Sequence, residues 1–467
     1  MADGSELNAY WLPEIDGLEL EIRERRFGPG KVRLCVPQLT PAALKEVLAC
    51  LRRNRSAHLA GRPLGELLDA IDAAARRLTR PGEAIREELL RVLPDLTGYS
   101  PQMIALGLER MAAGWSATAL RGAMQGEFGD LSVLERFRPR ESGGRQRAVA
   151  APLTVHIFSG NIPGVSVSSL VRALCVKSAS LGKTAEGEPY LAVAFARALA
   201  EEAPELARCL AVVYWPGGSA DLETAAFAEA GCIIAYGSDE TVSRIRGRVP
   251  AGVRFVGYPN RVGAALISRS ALSEAAVGDR ARAAAMDVVM FDQQGCVSPH
   301  TIYVERGGPV EPGAFALALA AALDELSAEL PRGVMDPAES SLIHQTRAEA
   351  EMRGAEVLAG QRGTEWTVIV EDRIDFQPSP LNRLIRVVPV KRLDDAVEAL
   401  RAVGAALQTV AIATGSDEVE RLATSLADLG ATRIVAVGDA AWPAPHWHHD
   451  GRFQFLDLVR FVDLELT

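Results

Sequence analysis

The segment Phe291-Asp292-Gln293-Gln294-Gly295-Cys296-Val297-Ser298-Pro299-His300 sets one thiol behind two amides and a glycine, and ahead of a Ser-Pro turn. A thiolate is a strong nucleophile even when little of it is ionised. The adjacent glycine lets backbone approach a bound substrate closely. The valine-rich run Asp287-Val288-Val289-Met290 before it and the β-branched run Thr301-Ile302-Tyr303-Val304 after it predict a strand, a tight loop bearing Cys296, and a second strand. The plain alternative is a small buried hydrophobe, the usual fate of a free cysteine. A lone cysteine does not decide between the two. The other cysteines, at 35, 50, 175, 209 and 232, form no CxxC pair, and Cys175, Cys209 and Cys232 lie in apolar runs that read as core. This spacing suggests neither zinc nor a disulfide framework and points to a reduced, cytoplasmic chain.

Other chemistry gathers in glycine-containing loops. Ser159-Gly160-Asn161-Ile162-Pro163-Gly164 follows a predicted strand, Ala151 to Phe158. Pro216-Gly217-Gly218 closes a strand from Leu210 to Trp215, and Gly237-Ser238 closes one from Cys232 to Tyr236. Predicted helices lie between them, at 166–173, 191–203 and 220–230. Alternating strands and helices imply βαβ units around a parallel sheet, whose ligands collect at the carboxyl ends of the strands. His446, His448, His449 and Asp450 invite a metal reading, but the surrounding Trp442, Pro443, Pro445 and Gly451 favour a structured turn, so no metal is expected.

The remaining chain supplies the frame. With 467 residues, two or three domains are expected. A net charge of -10 argues against a general nucleic-acid binder. The first six residues carry no basic or apolar signal, and no apolar run reaches the length of a membrane span. From 39 to 137 the leucine spacing is helical, with Thr40 as an N-cap before Pro41, and Arg138 to Arg147 reads as a linker. Beyond Cys296, helices are predicted at 315–326, 340–353 and 394–403, and strands at 366–370, 385–390, 409–413 and 433–437. The fold class is therefore α/β: a helical N-terminal region with linker (1–147), one α/β domain (148–270), a second bearing the cysteine (271–440) and a C-terminal segment (441–467).

Four pieces in order, Ser159-Gly160-Asn161-Ile162-Pro163, Gly182-Lys183-Thr184-Ala185-Glu186-Gly187-Glu188-Pro189, Asp292 to Pro299, and Trp447-His448-His449-Asp450-Gly451-Arg452, resemble the aldehyde dehydrogenase superfamily. The resemblance is strongest to its acyl-CoA reductase branch, the LuxC-type fatty-acid reductases. It implies that the first α/β domain binds a dinucleotide and that the second is catalytic, with a nucleophile at Cys296 and an oxyanion donor at Asn161, whose own alternative is an amide satisfying its loop. It also implies a dinucleotide held by Lys183 and Glu186 at the adenosine ribose and by Gly217, Gly218, Gly237 and Ser238 near the pyrophosphate. Taken alone, Lys183 would read as a surface lysine and Gly217-Gly218 as a turn. The expected partners are an acyl-CoA or acyl-carrier-protein thioester, an acyl-transferring enzyme, and further copies of the chain as a homo-oligomer.

One departure bears on the reaction. Hydrolytic members of the superfamily place a water-activating glutamate before the cysteine; the matching stretch here, Val256 to Gly263, has no carboxylate, and Thr241 to Ser273 contains no Asp or Glu at all. A base must lie within reach of the proton that it takes. The chain is thus expected to exchange acyl groups between thiols and to reduce the enzyme-bound thioester to an aldehyde. The open alternatives are an oxidative aldehyde dehydrogenase, a cysteine acyltransferase without redox chemistry, and a non-catalytic subunit. Arg244, Arg246, Arg248, Arg254, Arg261 and Arg269 in the same stretch could meet phosphates or be neutralised elsewhere. A carboxylate at Glu186 favours NADH, the resemblance favours NADPH, and the balance is set slightly toward NADPH.

Overall fold

A computed structural model describes residues 7–361 and 363–466. The chain forms two compact units: residues 1–259 with 444–467, and residues 260–443.

In the first unit, five parallel strands lie in the order Leu210–Tyr214, Ala179–Thr184, Leu153–Ile157, Cys232–Tyr236, Arg254–Tyr258. The spatial order reverses between Leu153–Ile157 and Cys232–Tyr236, the switch point at which such sheets bind ligands. The first four of these strands in chain order are buried along their whole length. Three of them are mostly apolar, as strands covered on both faces tend to be, whereas Ala179–Thr184 buries Ser180, Lys183 and Thr184. The N-terminal helices belong to this unit. Thr40 caps Pro41–Asn54 through the Ala43 N–H at 3.1 Å, as the Thr-Pro pair predicts.

Three stretches depart from the sequence expectation. Ile22–Phe27 and Val32–Pro37 form an antiparallel hairpin that no hydrophobic alternation announces, because Arg and Glu fill most of the first strand. The predicted linker from Arg138 to Arg147 contributes Arg138–Pro139 and the start of Arg145–Ala150 to a three-stranded antiparallel sheet with Val459–Leu464. The C-terminal segment is thereby tied to the first unit, and Glu127 accepts the backbone N–H groups of Gln454, Phe455 and Leu456. The run Asp287 to Val289 is not a strand but the end of the helix Val277–Val289. Ala281, Ala284, Ala285, Val288 and Val289 recur at helical spacing and are buried together; the final valines, read alone, look β-branched.

The second unit carries a seven-stranded sheet in the order Glu356–Ala359, Thr367–Val370, Leu384–Val390, Pro299–Glu305, Val262–Ile267, Leu407–Ala413, Arg433–Ala436. All neighbours are parallel except the first pair. The strand after Cys296 is Pro299–Glu305, buried throughout at the centre of this sheet.

Candidate active site

Cys296 sits between the helix Val277–Val289 and the strand Pro299–Glu305, in a turn closed by the Ser298 N–H on the Gly295 carbonyl at 3.0 Å. The turn passes tightly over Gly263, where a Cβ would lie 2.7 Å from the Ser298 carbonyl oxygen. Cys296 is half-buried, whereas the other five cysteines are buried. Burial pushes the Cys209 and Cys232 thiols up to about 12 and raises Cys175 further, which keeps them protonated and inert.

The loop is held by backbone that side chains normally avoid. Phe291, Asp292 and Gln293 all have positive φ (47°, 49° and 68°), and so do Leu381, Asn382 and Arg383 (64°, 55° and 63°). Each costs roughly 1–2 kcal/mol for a residue with a Cβ. The two runs are locked together. The Asn382 N–H donates to the Asp292 carbonyl at 3.1 Å. Arg383, with a fully buried side chain, places Nε 2.7 Å from Asp292 Oδ1 and donates from Nη2 to the Leu330 carbonyl at 2.9 Å. Asp292 Oδ2 accepts the Gly333 N–H at 2.9 Å. Gln293 donates to the carbonyls of Pro299 and Leu384 at 2.7 and 3.0 Å. The Ser379 N–H donates to His300 Nδ1 at 3.0 Å, and burial lowers His300 to about 4, so it stays neutral. The sequence motif thus does two jobs. Its Asp and first Gln anchor the loop, and its cysteine is what they position. Arg383 carries no motif signal of its own.

A second support comes from the far end of the sheet. Asp287, pushed up to about 7 by burial, accepts the N–H groups of Gly438 and Ala440 at 2.7 and 2.9 Å. That segment in turn fixes Arg433, whose guanidinium donates to the Asp439 and Ala440 carbonyls at 2.6 Å and interacts electrostatically with Cys296. A cation there favours the thiolate over the thiol.

Asn161 belongs to the first unit and follows the strand Leu153–Ile157. Its carbonyl accepts the Tyr99 hydroxyl at 2.6 Å. Its loop lies directly on the loop after Lys183: a Cβ on Gly160 would come within 3.0 Å of Gly187 Cα. Lys183 is the penultimate residue of a strand, not part of a loop, and is only 8% exposed. Among the described residues its ammonium makes no hydrogen bond or ion pair, and burial lowers it to about 8. Glu186 is exposed. Glu188, in the same motif, is a structural cap: it accepts the N–H groups of Tyr190 and Leu191 at 2.8 and 2.7 Å, and burial raises its pKa.

Gly217 and Gly218 follow the strand Leu210–Tyr214 with open space where a Cβ would stand, and Gly218 has φ +85°. Gly237 and Ser238 follow Cys232–Tyr236. The Ser238 hydroxyl accepts the Thr241 N–H at 3.2 Å, capping the helix Asp239–Arg246, whose first turn already carries Asp239 and Glu240. Those acids complement the helix dipole and weigh against an anion at that terminus.

The arginines of the acid-free stretch mostly find partners elsewhere. Arg248 pairs with Glu223, Arg254 donates to the Asp457 and Val459 carbonyls, Arg261 donates to the Ala405 carbonyl, and Arg269 meets Glu305 at 2.8 Å. Of the C-terminal histidines, His449 stacks, 4.2 Å from Tyr258 and 4.7 Å from Trp447 between ring centroids, and His448 meets Phe453 edge-on. Among the described residues no group of three His, Cys, Asp or Glu could hold a metal, and no helix is long and apolar enough to cross a membrane.

Residues 59–461 match the model of the family described as acyl-CoA reductase (LuxC). The chain belongs to that family. Acyl-thioester reduction is its reaction class. A long-chain acyl-protein thioester reductase of Aliivibrio fischeri is 26% identical over 81% of this chain and 78% of its own length. One from Photorhabdus laumondii is 24% identical over 97% and 90%. Among solved structures, an NAD-dependent benzaldehyde dehydrogenase from Corynebacterium glutamicum superposes with a TM-score of 0.71 at 18% identity, covering 96% of both chains. An NADP-dependent glyceraldehyde-3-phosphate dehydrogenase from Bacillus halodurans gives 0.71 at 16%, covering 98% of both. At such identities these two establish the aldehyde dehydrogenase-like fold expected from the sequence and no more.

Proposed function

We propose that Cys296 is acylated by a long-chain acyl thioester, carried by CoA or by a protein, and that the acyl group leaves Cys296 as an aldehyde once reduced with hydride that a dinucleotide, which the first unit would hold, would supply. The observation that carries this reading is the Cys296 turn: one half-buried thiol within electrostatic reach of the Arg433 guanidinium, on a loop whose only carboxylate, Asp292, is bound by Arg383 and Gly333. A carboxylate so occupied is a poor general base for water. The bound acyl group is therefore kept for reduction.

The Cys296 thiolate adds to the thioester carbonyl. An oxyanion forms, which the Asn161 amide and the Cys296 N–H stabilise. The tetrahedral adduct then expels the carrier thiolate, which takes a proton, leaving the acyl group on Cys296. Reduced nicotinamide supplies the hydride for the second half of the reaction. The same donors hold the resulting oxyanion, and its collapse frees the aldehyde and the Cys296 thiolate. The first unit fits a dinucleotide. Lys183 is a buried cation at a strand's carboxyl end with no hydrogen bond or ion pair to its ammonium, and Gly217-Gly218 leaves open space at the end of the neighbouring strand. The donor named by the relatives is an acyl-protein, which makes a carrier or acyl-transferring protein as suitable as CoA. Of the two dinucleotides, we favour NADPH.

Exposure to a long-chain acyl-CoA without dinucleotide should leave a thioester on Cys296, detected by mass spectrometry; addition of NADPH should release a trappable aldehyde. Acylation of another cysteine in Cys296→Ala, or no aldehyde from the wild type with any acyl-CoA or acyl-protein donor, would overturn the proposal.

A further inference from the structure

The hairpin strand Ile22–Phe27, silent in the sequence, brings a cation to the carboxyl edge of the parallel sheet. Arg25 Nη2 lies 3.2 Å from Glu186 Oε1, and the guanidinium sits 5.0 Å from the centroid of the Tyr214 ring. Lys183 Nζ lies 5.8 Å from the same centroid. Phe27 packs edge-on against Tyr214 at 4.9 Å, which fixes the hairpin to the end of the strand Leu210–Tyr214. The Tyr214 hydroxyl lies within electrostatic reach of Glu186. The carboxylate is thus held by Arg25.

A free carboxylate beside an adenosine ribose accepts its hydroxyls and repels a 2′-phosphate. Here that charge is already matched. Glu186 faces Arg25, while the Lys183 ammonium has no hydrogen bond or ion pair and feels Glu223, Glu186 and Arg244 electrostatically. The nearby acid Glu223 is taken by Arg248. The rim formed by Arg25, Lys183, Arg244 and Glu186 is net positive. Arg25 is about two-fifths exposed, and one guanidinium nitrogen meets Glu186. A guanidinium has five N–H donors, so the others can serve a phosphate in the bidentate geometry that arginine favours.

We propose that Arg25 determines cofactor choice by holding Glu186 aside and receiving the 2′-phosphate of a phosphorylated dinucleotide. The inference rests on the assignment of Lys183 and Glu186 to the adenosine ribose, and it adds a residue from a separate element that reverses what Glu186 alone would select.

The test uses the full chain and compares dissociation constants for NADPH, NADH, 2′,5′-ADP and 5′-AMP. The wild type should bind 2′,5′-ADP more tightly than 5′-AMP. Arg25→Ala should lower the NADPH-over-NADH affinity ratio about tenfold and remove most of the 2′,5′-ADP advantage. Arg25→Lys should keep part of both, and Arg26→Ala, on the opposite face of the same strand, should change neither. An unchanged ratio in a folded Arg25→Ala protein would overturn the proposal while leaving the ribose assignment standing. A wild type that binds none of the four nucleotides would overturn the assignment itself.

Discussion

Replacing Arg383 by Met tests whether the left-handed clamp sets the position of the nucleophile. The side chain is fully buried and neutralises Asp292, itself 5% exposed, with Nε and Nη2 both 2.7 Å from Oδ1. Methionine fills a similar apolar length but leaves Asp292 with the Gly333 N–H as its remaining side-chain hydrogen bond. Breaking a buried pair from one side costs about 3–5 kcal/mol, because an uncompensated charge remains. Removing both charges, in Asp292→Asn/Arg383→Met, should recover roughly 1–3 kcal/mol of that, as expected for residues sharing one network. The strained run Phe291–Gln293 then has less to hold it at positive φ. Relaxation would swing the Cys296 turn, and a displacement near 1 Å can cost about a hundredfold in turnover. Urea unfolding of the two single variants and the double variant gives the coupling energy. Aldehyde formation and the rate of Cys296 alkylation report the loop. The double variant should regain stability but not turnover. An Arg383→Met protein that unfolds within about 1 kcal/mol of the wild type and turns over normally would refute the argument.

Asn161→Ala should lower aldehyde formation by roughly 10²–10³ through loss of one oxyanion donor, with dinucleotide affinity unchanged in a fluorescence titration; normal turnover would remove Asn161 from the mechanism. Lys183, lowered by burial to about 8, should lose its charge as pH rises through that value. NADPH affinity should therefore be full below about pH 8 and fall by up to tenfold per unit above it. The Lys183→Arg variant should be flat over the same range, and an equally steep wild-type and variant profile would point to another group. Free fatty acid should form much more slowly than aldehyde when reduced dinucleotide is present, because Thr241 to Ser273 offers no carboxylate; equal rates, measured by extraction and chromatography, would show a base supplied from elsewhere.

The sequence by itself determined what depends on local chemistry and periodicity. The buried strands Leu153–Ile157, Leu210–Tyr214 and Cys232–Tyr236 are mostly apolar, so they and the loops of Asn161, Gly217 and Gly237 after them were legible; Ala179–Thr184, with Ser, Gly, Lys and Thr, was not. The Cys296 segment stood out through its resemblance to a family motif, not through the lone thiol, and the strand expected before it proved to be the end of a helix. Tertiary structure decided what depends on partners distant in the chain. The valines before Cys296 end a helix because alanines one and two turns earlier complete a buried face. Arg383 matters through Asp292, 91 residues away, and Arg25 through Glu186, 161 residues away. An arginine has the same composition and local propensity whether it faces water, a carboxylate or a phosphate. Only the fold sets its neighbours, and its neighbours set its chemistry.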